Sequence, residues 1–274
     1  MKFFLPLLIF PVVAVPLLSQ PEKKELSINI KRYNPVEKTI FYKLGDRNIP
    51  IRIWQYGDVK DIVCINLHSN EKTSVEAAMP LLEVKGGTLI KIENGDQRVI
   101  RFRLRGSIYS FDPNRIFSRE GIEQTLKENH RCAPRAIDEI EKFAQRLLLL
   151  LPGKPSCLIA LHNNTDEDFS VRSYLPGNEN QFDARAVYVN NLQDVDDIAF
   201  TTDGDLYQRM AQHGYNSIWQ DNERARKNGS LSVYCGEKGL RYINIETEHG
   251  RLNQYLEMLN KLLDILDSEK TVDN

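Results

Sequence analysis

The chain has 274 residues, enough for one large domain or two small ones. Its 41% hydrophobic and 27% charged residues exclude a disordered or collagen-like chain and leave room for at most one membrane segment. With 36 Lys and Arg against 38 Asp and Glu, a net charge of −2, it has no preference for nucleic acid or an anionic membrane surface, and its four cysteines are too few for a disulfide scaffold.

Lys2 is followed by an apolar run over residues 3–18, short for a bilayer span and broken by Pro6, Pro11 and Pro16. A positive start, an apolar middle and a polar continuation predict a leader over residues 1–20 and an exported protein, periplasmic or secreted. No pair of small residues marks a cleavage site, so an uncleaved N-terminal anchor is the alternative. Without that anchor no stable membrane partner is expected. No repeat or linker divides residues 21–274, which are expected to form a single domain.

Strands are predicted at 27–33, 39–44 and 49–56, all rich in β-branched and aromatic residues. Residues 61–68 are a nearly continuous apolar run, the mark of a strand buried on both faces. Thr73 and Glu76 have the spacing of a capping box that would open a helix ending at Leu82. Strands at 89–93 and 98–105 follow. A helix at 134–151 has apolar residues at helical spacing, with Pro134 in its first turn and Pro152-Gly153 after it. A second buried strand spans 157–162, and shorter strands are expected at 186–189, 198–201, 217–220 and 241–247. Helices are expected at 205–213 and 252–266, whereas residues 229–236 suit either a pocket-lining loop or a tight hairpin. This alternation predicts an α/β fold with a mixed, largely parallel central sheet flanked by helices.

Both buried strands end in a histidine followed by a polar loop. Ligands of open α/β sheets bind beyond the carboxyl ends of strands, where His68 and His162 fall. His68-Ser-Asn-Glu71 adds a carboxylate three residues on. Two histidines and one glutamate leave a fourth position open, the pattern of a catalytic zinc; the alternative is a pair of loop-facing hydrogen-bonding histidines. In Asp112-Pro-Asn114-Arg115, a neutral donor adjoins a guanidinium fork suited to a carboxylate, although a Pro-Asn turn with a surface arginine would read the same way. Glu246 and Glu248 end an apolar strand before Gly250, as a general base or as a solvated strand end. The cysteines need no catalytic role: Cys64 and Cys157 read as buried thiols, and three pairings are open to the four.

Together, His68-Ser-Asn-Glu71, Asp112-Pro-Asn-Arg115, His162 and Glu246 resemble the zinc carboxypeptidases, most of all their succinylglutamate desuccinylase/aspartoacylase-like branch. The 91 residues from Glu71 to His162 suit that branch, and the resemblance covers roughly residues 62–250. It implies a zinc-carboxypeptidase-like fold and one Zn²⁺ held by His68, Glu71 and His162. It further implies Glu246 as the base, Asn114 and Arg115 as the grip on a substrate carboxylate, and an upstream arginine, here Arg105, at the oxyanion. The implied activity is an exported amide hydrolase cleaving beside a free carboxylate through a metal-activated water. Its substrate would be a peptide or, in the alternative, an N-acyl amino acid; a non-catalytic binding module on the same fold is the remaining reading. Pro113 departs from the apolar residue usual in the Asn-Arg motif, and no late tyrosine matches the carboxypeptidase one, which leaves Tyr174 and Tyr188 without a role. The oligomeric state stays open.

Overall fold

The computed structural model describes residues 31–152, 155–165 and 169–272. The expected leader, and most of the strand expected at 27–33, lie outside them. Among the described residues no helix is long and apolar enough to cross a membrane.

In chain order the first elements are β1 (Pro35–Leu44), β2 (Arg47–Tyr56), β3 (Ile62–Asn66), α1 (Lys72–Lys85) and β4 (Gly87–Ile92). Next come β5 (Ile100–Leu104), β6 (Ser107–Phe111), α2 (Arg119–Glu128), α3 (Pro134–Leu148), β7 (Cys157–Leu161) and β8 (Ala184–Tyr188). The chain closes with β9 (Ile198–Thr201), α4 (Gly204–Gln212), β10 (Asn216–Gln220), α5 (Leu231–Glu237), β11 (Tyr242–Glu246) and α6 (Leu252–Val272). Among the described residues nine strands form one mixed sheet in the order β1-β2-β4-β3-β7-β11-β9-β10-β8, while β5 and β6 form a separate hairpin. The central strands β4, β3, β7 and β11 run parallel, as do β9 and β10. Antiparallel pairs join the rest of the large sheet.

The apolar runs in β3, β7 and β11 follow from cover on both faces. Val63, Ile65, Leu158, Ala160 and Tyr242 point into a core shared with α2, α3, α5 and the β5–β6 hairpin. Their alternates Ile62, Cys64, Cys157, Ile159, Ile243 and Ile245 point into a second core shared with α1, α4 and α6. Cβ direction alternates along a strand, so one continuous apolar sequence feeds both cores.

Several expected boundaries move. β1 starts at Pro35, which the first position of an edge strand tolerates. The predicted capping box is not formed: α1 begins at Lys72 with no side-chain cap, and the Thr73 hydroxyl accepts the Gly250 N–H instead. α2 was not expected, and neither was α5; Ser118 and Ser230 cap them through their hydroxyls. The segment 229–236, read as loop or hairpin, is thus mostly helix.

The turn before α5 clamps the loop after β6. Gly229 adopts φ +74°, and a Cβ there would come within 2.6 Å of the Arg115 carbonyl oxygen and of Gly121 Cα. Its carbonyl accepts the Phe117 N–H at 2.9 Å. Gly229→Ala is therefore expected to cost about 1–3 kcal/mol from backbone strain alone, plus the clash with Arg115. Urea unfolding checks this; an unchanged midpoint would contradict the clamp.

Candidate functional site

Parallel β3, β7 and β11 present their carboxyl ends on one edge of the sheet, and His68, His162 and Glu246 stand there. The turn from β3 to α1 is braced by buried polar side chains. Asn66 Nδ2 donates to the Leu161 carbonyl at 3.1 Å and the Glu71 carbonyl at 3.3 Å, and Ser74 Oγ donates to the latter at 2.8 Å. Asn163 Oδ1 accepts the Ser74 N–H at 2.9 Å and its Nδ2 donates to the Thr247 carbonyl at 3.2 Å, tying β7 to α1 and β11. Asn163 thus braces the site.

His68 and His162 meet across the Glu71 carboxylate, all three buried. Glu71 Oε1 lies 2.8 Å from His68 Nδ1, Glu71 Oε2 lies 2.8 Å from His162 Nδ1, and the two Nδ1 atoms stand 3.2 Å apart. On the far side of its ring, His68 Nε2 donates to Asp112 Oδ1 at 2.7 Å. Asp112 Oδ1 also accepts the Asn114 N–H at 2.7 Å, which fixes the carboxylate to its own loop. Burial by itself would lower the His68 pKa, but the Glu71 and Asp112 carboxylates outweigh it and hold the imidazole at about 9. Burial likewise opposes ionisation of Glu71 and Asp112, and the facing imidazoles override it, keeping both acids well below the usual carboxylate range.

A cavity of about 670 Å³ opens over this cluster. Glu71, His162, Asn114, Arg115 and Glu246 all line it. Arg115 is half-buried, and its guanidinium has no hydrogen-bond or ion-pair partner among the described residues. Asn114 Oδ1 accepts the Leu231 N–H at 3.1 Å, which leaves its amide donors on the cavity side. Glu246 is 8% exposed; its Oε1 accepts Asn244 Nδ2 at 3.0 Å, and its Oε2 has no partner. Burial pushes Glu246 up to about 7, with Glu71 adding to the rise and His162 opposing it. Glu248, the other candidate base, belongs instead to a separate group with Asp194 and Asp196.

Arg105 does not stand where an oxyanion residue would. It sits exposed at the tip of the β5–β6 hairpin with φ +50°, outside the cavity lining, because the turn between those strands requires a left-handed residue there. Arg98, before the strand, lines the cavity instead: its Nη1 is 2.7 Å from Glu71 Oε1 and its Nη2 is 3.4 Å from Asp112 Oδ2. Asp112, just ahead of Asn114 and Arg115 in the sequence, is the further residue that the fold brings to the cluster. Tyr174 is buried and lines the cavity together with Arg115, Asp183 and Glu246, whereas Tyr188 lies on the edge strand β8. All four cysteines are free, and burial raises the Cys64 thiol to about 12, far from a reactive thiolate.

The cluster suits a zinc ion. Two imidazole nitrogens and a carboxylate converge with their ligand atoms within 4.8 Å of one another. The 3.2 Å between the nitrogens matches the roughly 3.3 Å expected for two ligands on one tetrahedral ion with 2.0–2.1 Å bonds. Asp112 on the outer nitrogen of His68 is the usual support of a ligating histidine.

No family model matches the chain, and no curated protein does. Among solved structures it is similar to an aspartoacylase family protein from Mesorhizobium loti, at 14% identity and a TM-score of 0.46 over 86% of this chain and 68% of that one. It is also similar to thrombin activatable fibrinolysis inhibitor, at 11% identity and a TM-score of 0.46 over 85% and 69% of the respective chains. Likeness at this level assigns no activity, and the functional reading rests on the side chains.

Asp112→Asn keeps the shape of the side chain but removes the charge behind His68. It is expected to weaken zinc binding about 10–100-fold, measured by competition with a chromophoric chelator. Unchanged affinity would remove Asp112 from the metal's support.

Proposed function

We propose that the protein is an exported zinc-dependent amide hydrolase of carboxypeptidase type, cleaving an amide bond beside a free carboxylate. The observation that carries this reading is the buried Glu246, with an unpartnered oxygen, in the same cavity as the His68–Glu71–His162 cluster and the unpaired Arg115. A binding module would have no need of a buried carboxylate with one oxygen unpartnered, because its burial costs stability.

Arg115 takes the substrate carboxylate in its guanidinium fork, and Asn114, held by the Leu231 N–H, offers its amide to the same group. This sets the scissile carbonyl over the cluster. A zinc ion held by His68, Glu71 and His162 would polarise that carbonyl and make hydroxide available near neutral pH. Glu246 removes the proton from the attacking water and delivers it to the leaving nitrogen as the C–N bond breaks, giving a carboxylate and an amine. A pKa near 7 suits a group that must accept and then return a proton at neutral pH. Arg98, half-exposed at the cavity wall, takes the oxyanion role first expected of Arg105. The leader expected over residues 1–20 favours peptides as substrates. The same site would serve an N-acyl-amino-acid deacylase, which a parallel panel of N-acyl amino acids separates from a peptidase.

Zinc-loaded full-length protein is expected to hydrolyse N-acylated peptides with a free C-terminus at one zinc per chain. Glu246→Gln should lower kcat about 10²–10⁴-fold while keeping the zinc. Loss of zinc along with activity, or full activity in the variant, would overturn the assignment of Glu246.

The base must be ionised, so kcat/KM should fall as pH drops through its pKa. The cation favours the carboxylate, which puts that limb at or below about 7. In the metal-free protein the linkage has the opposite sense. A carboxyl raised from 4.5 to about 7 by folding costs stability as pH rises through that window, so Glu246→Gln should raise the metal-free Tm at pH 8. A lower Tm would contradict the burial cost.

A further inference from the structure

A second group of acids lies apart from the His68–Glu71–His162 cluster. The loop between β8 and β9 carries Asp194, Asp196 and Asp197, and the chain leaving β11 carries Glu248. Oxygens of Asp194, Asp196 and Glu248 lie within 4.8 Å of one another. Like charges at such distances repel unless a cation stands among them. Arg251 supplies one positive group, pairing with Asp194 and reaching 3.6 Å from Asp197 Oδ2. Asp197 is fully buried, and neither of its oxygens accepts a hydrogen bond. Its Oδ2 faces the same Arg251 guanidinium that pairs with Asp194, which turns its carboxylate toward the cluster. Asp194 and Asp197 therefore share one guanidinium, and among the described residues no hydrogen-bond donor fills the acceptors of the buried Asp197.

We propose that Asp194, Asp196 and Glu248 form a calcium site, backed by Asp197, that fastens the 194–197 loop to the end of β11. The donors are all carboxylate oxygens, with no nitrogen or sulfur, which favours a hard cation over a second zinc. Calcium, with bonds of about 2.4 Å and loose geometry, reaches oxygens spread as these are; magnesium demands a tighter octahedron. Glu248 is bridged to Asn164, whose Nδ2 donates to the Asp196 carbonyl at 3.0 Å. Occupancy would thus brace the segment two residues beyond Glu246, and the site stands whether or not the hydrolase reading does.

The test uses the full chain stripped of metal by a chelator, titrated with CaCl₂ alone and, in parallel, with MgCl₂, by calorimetry and thermal melting. One calcium per chain and a Tm rise are expected in the wild type and equally in His162→Ala, which lacks a zinc ligand. Glu248→Gln should weaken calcium uptake at least about tenfold. Its side chain has no hydrogen bond among the described residues to lose, so the fold should persist. Asp194→Asn gives a second reading of the same loss. Absence of calcium uptake by the wild type, uptake unchanged in Glu248→Gln, uptake lost in His162→Ala, or preference for magnesium would each overturn the proposal.

Discussion

The Glu71 carboxylate sits between two buried imidazoles, and the arrangement of the surrounding chain serves that contact. Three titratable groups are out of water within hydrogen-bond distance of one another. Such a cluster is costly unless every charge finds an opposite one. The protein meets the cost with Asp112 behind His68, Arg98 against Glu71, and a net of amides from Asn66 and Asn163 that fixes the backbone around them. His162 Nε2 and Glu246 Oε2 remain buried without partners, and both belong to cavity-lining residues.

That contact depends on the parallel centre of the sheet. His68 and His162 are 94 positions apart in sequence, yet β3 and β7 are neighbours in register, so their ends coincide. β11 lies on the other side of β7 and brings Glu246 to the same edge. Cover on both faces makes these strands rigid, and the polar chemistry is confined to where they end. The substrate-side residues come from less regular chain. Asn114 and Arg115 sit on a short turn held from outside by Gly229 and the Leu231 N–H at the start of α5. The rigid edge therefore carries His68, His162 and Glu246, and a clamped loop carries Asn114 and Arg115.

Much of this was legible in the sequence because burial on two faces writes an unbroken apolar run and a site interrupts it. His68, His162 and Glu246 stand out as polar groups at the ends of such runs. Strand periodicity groups Arg105 with Arg101 and Arg103, whereas Arg98, expected to open that strand, lies in the bend before it and reaches Glu71. Asp112 went unassigned because its role is to hold another side chain, a relation between residues 44 positions apart. α5 escaped notice because Ser230, Ser232 and Gly236 have the composition of a loop; the helix forms through the Ser230 cap and the burial of Leu231 and Cys235 against the sheet. Thr73 looked like a cap, but tertiary contact with Gly250 took its hydroxyl.

In the proposed reading His68, Glu71 and His162 hold a single zinc ion, and X-ray absorption at the zinc edge of the loaded full-length protein checks that ligand set. The expected first shell is nitrogen and oxygen at about 2.0–2.2 Å, with the scattering of two imidazoles and no sulfur. A sulfur shell near 2.3 Å, or an all-oxygen shell without imidazole, would contradict it.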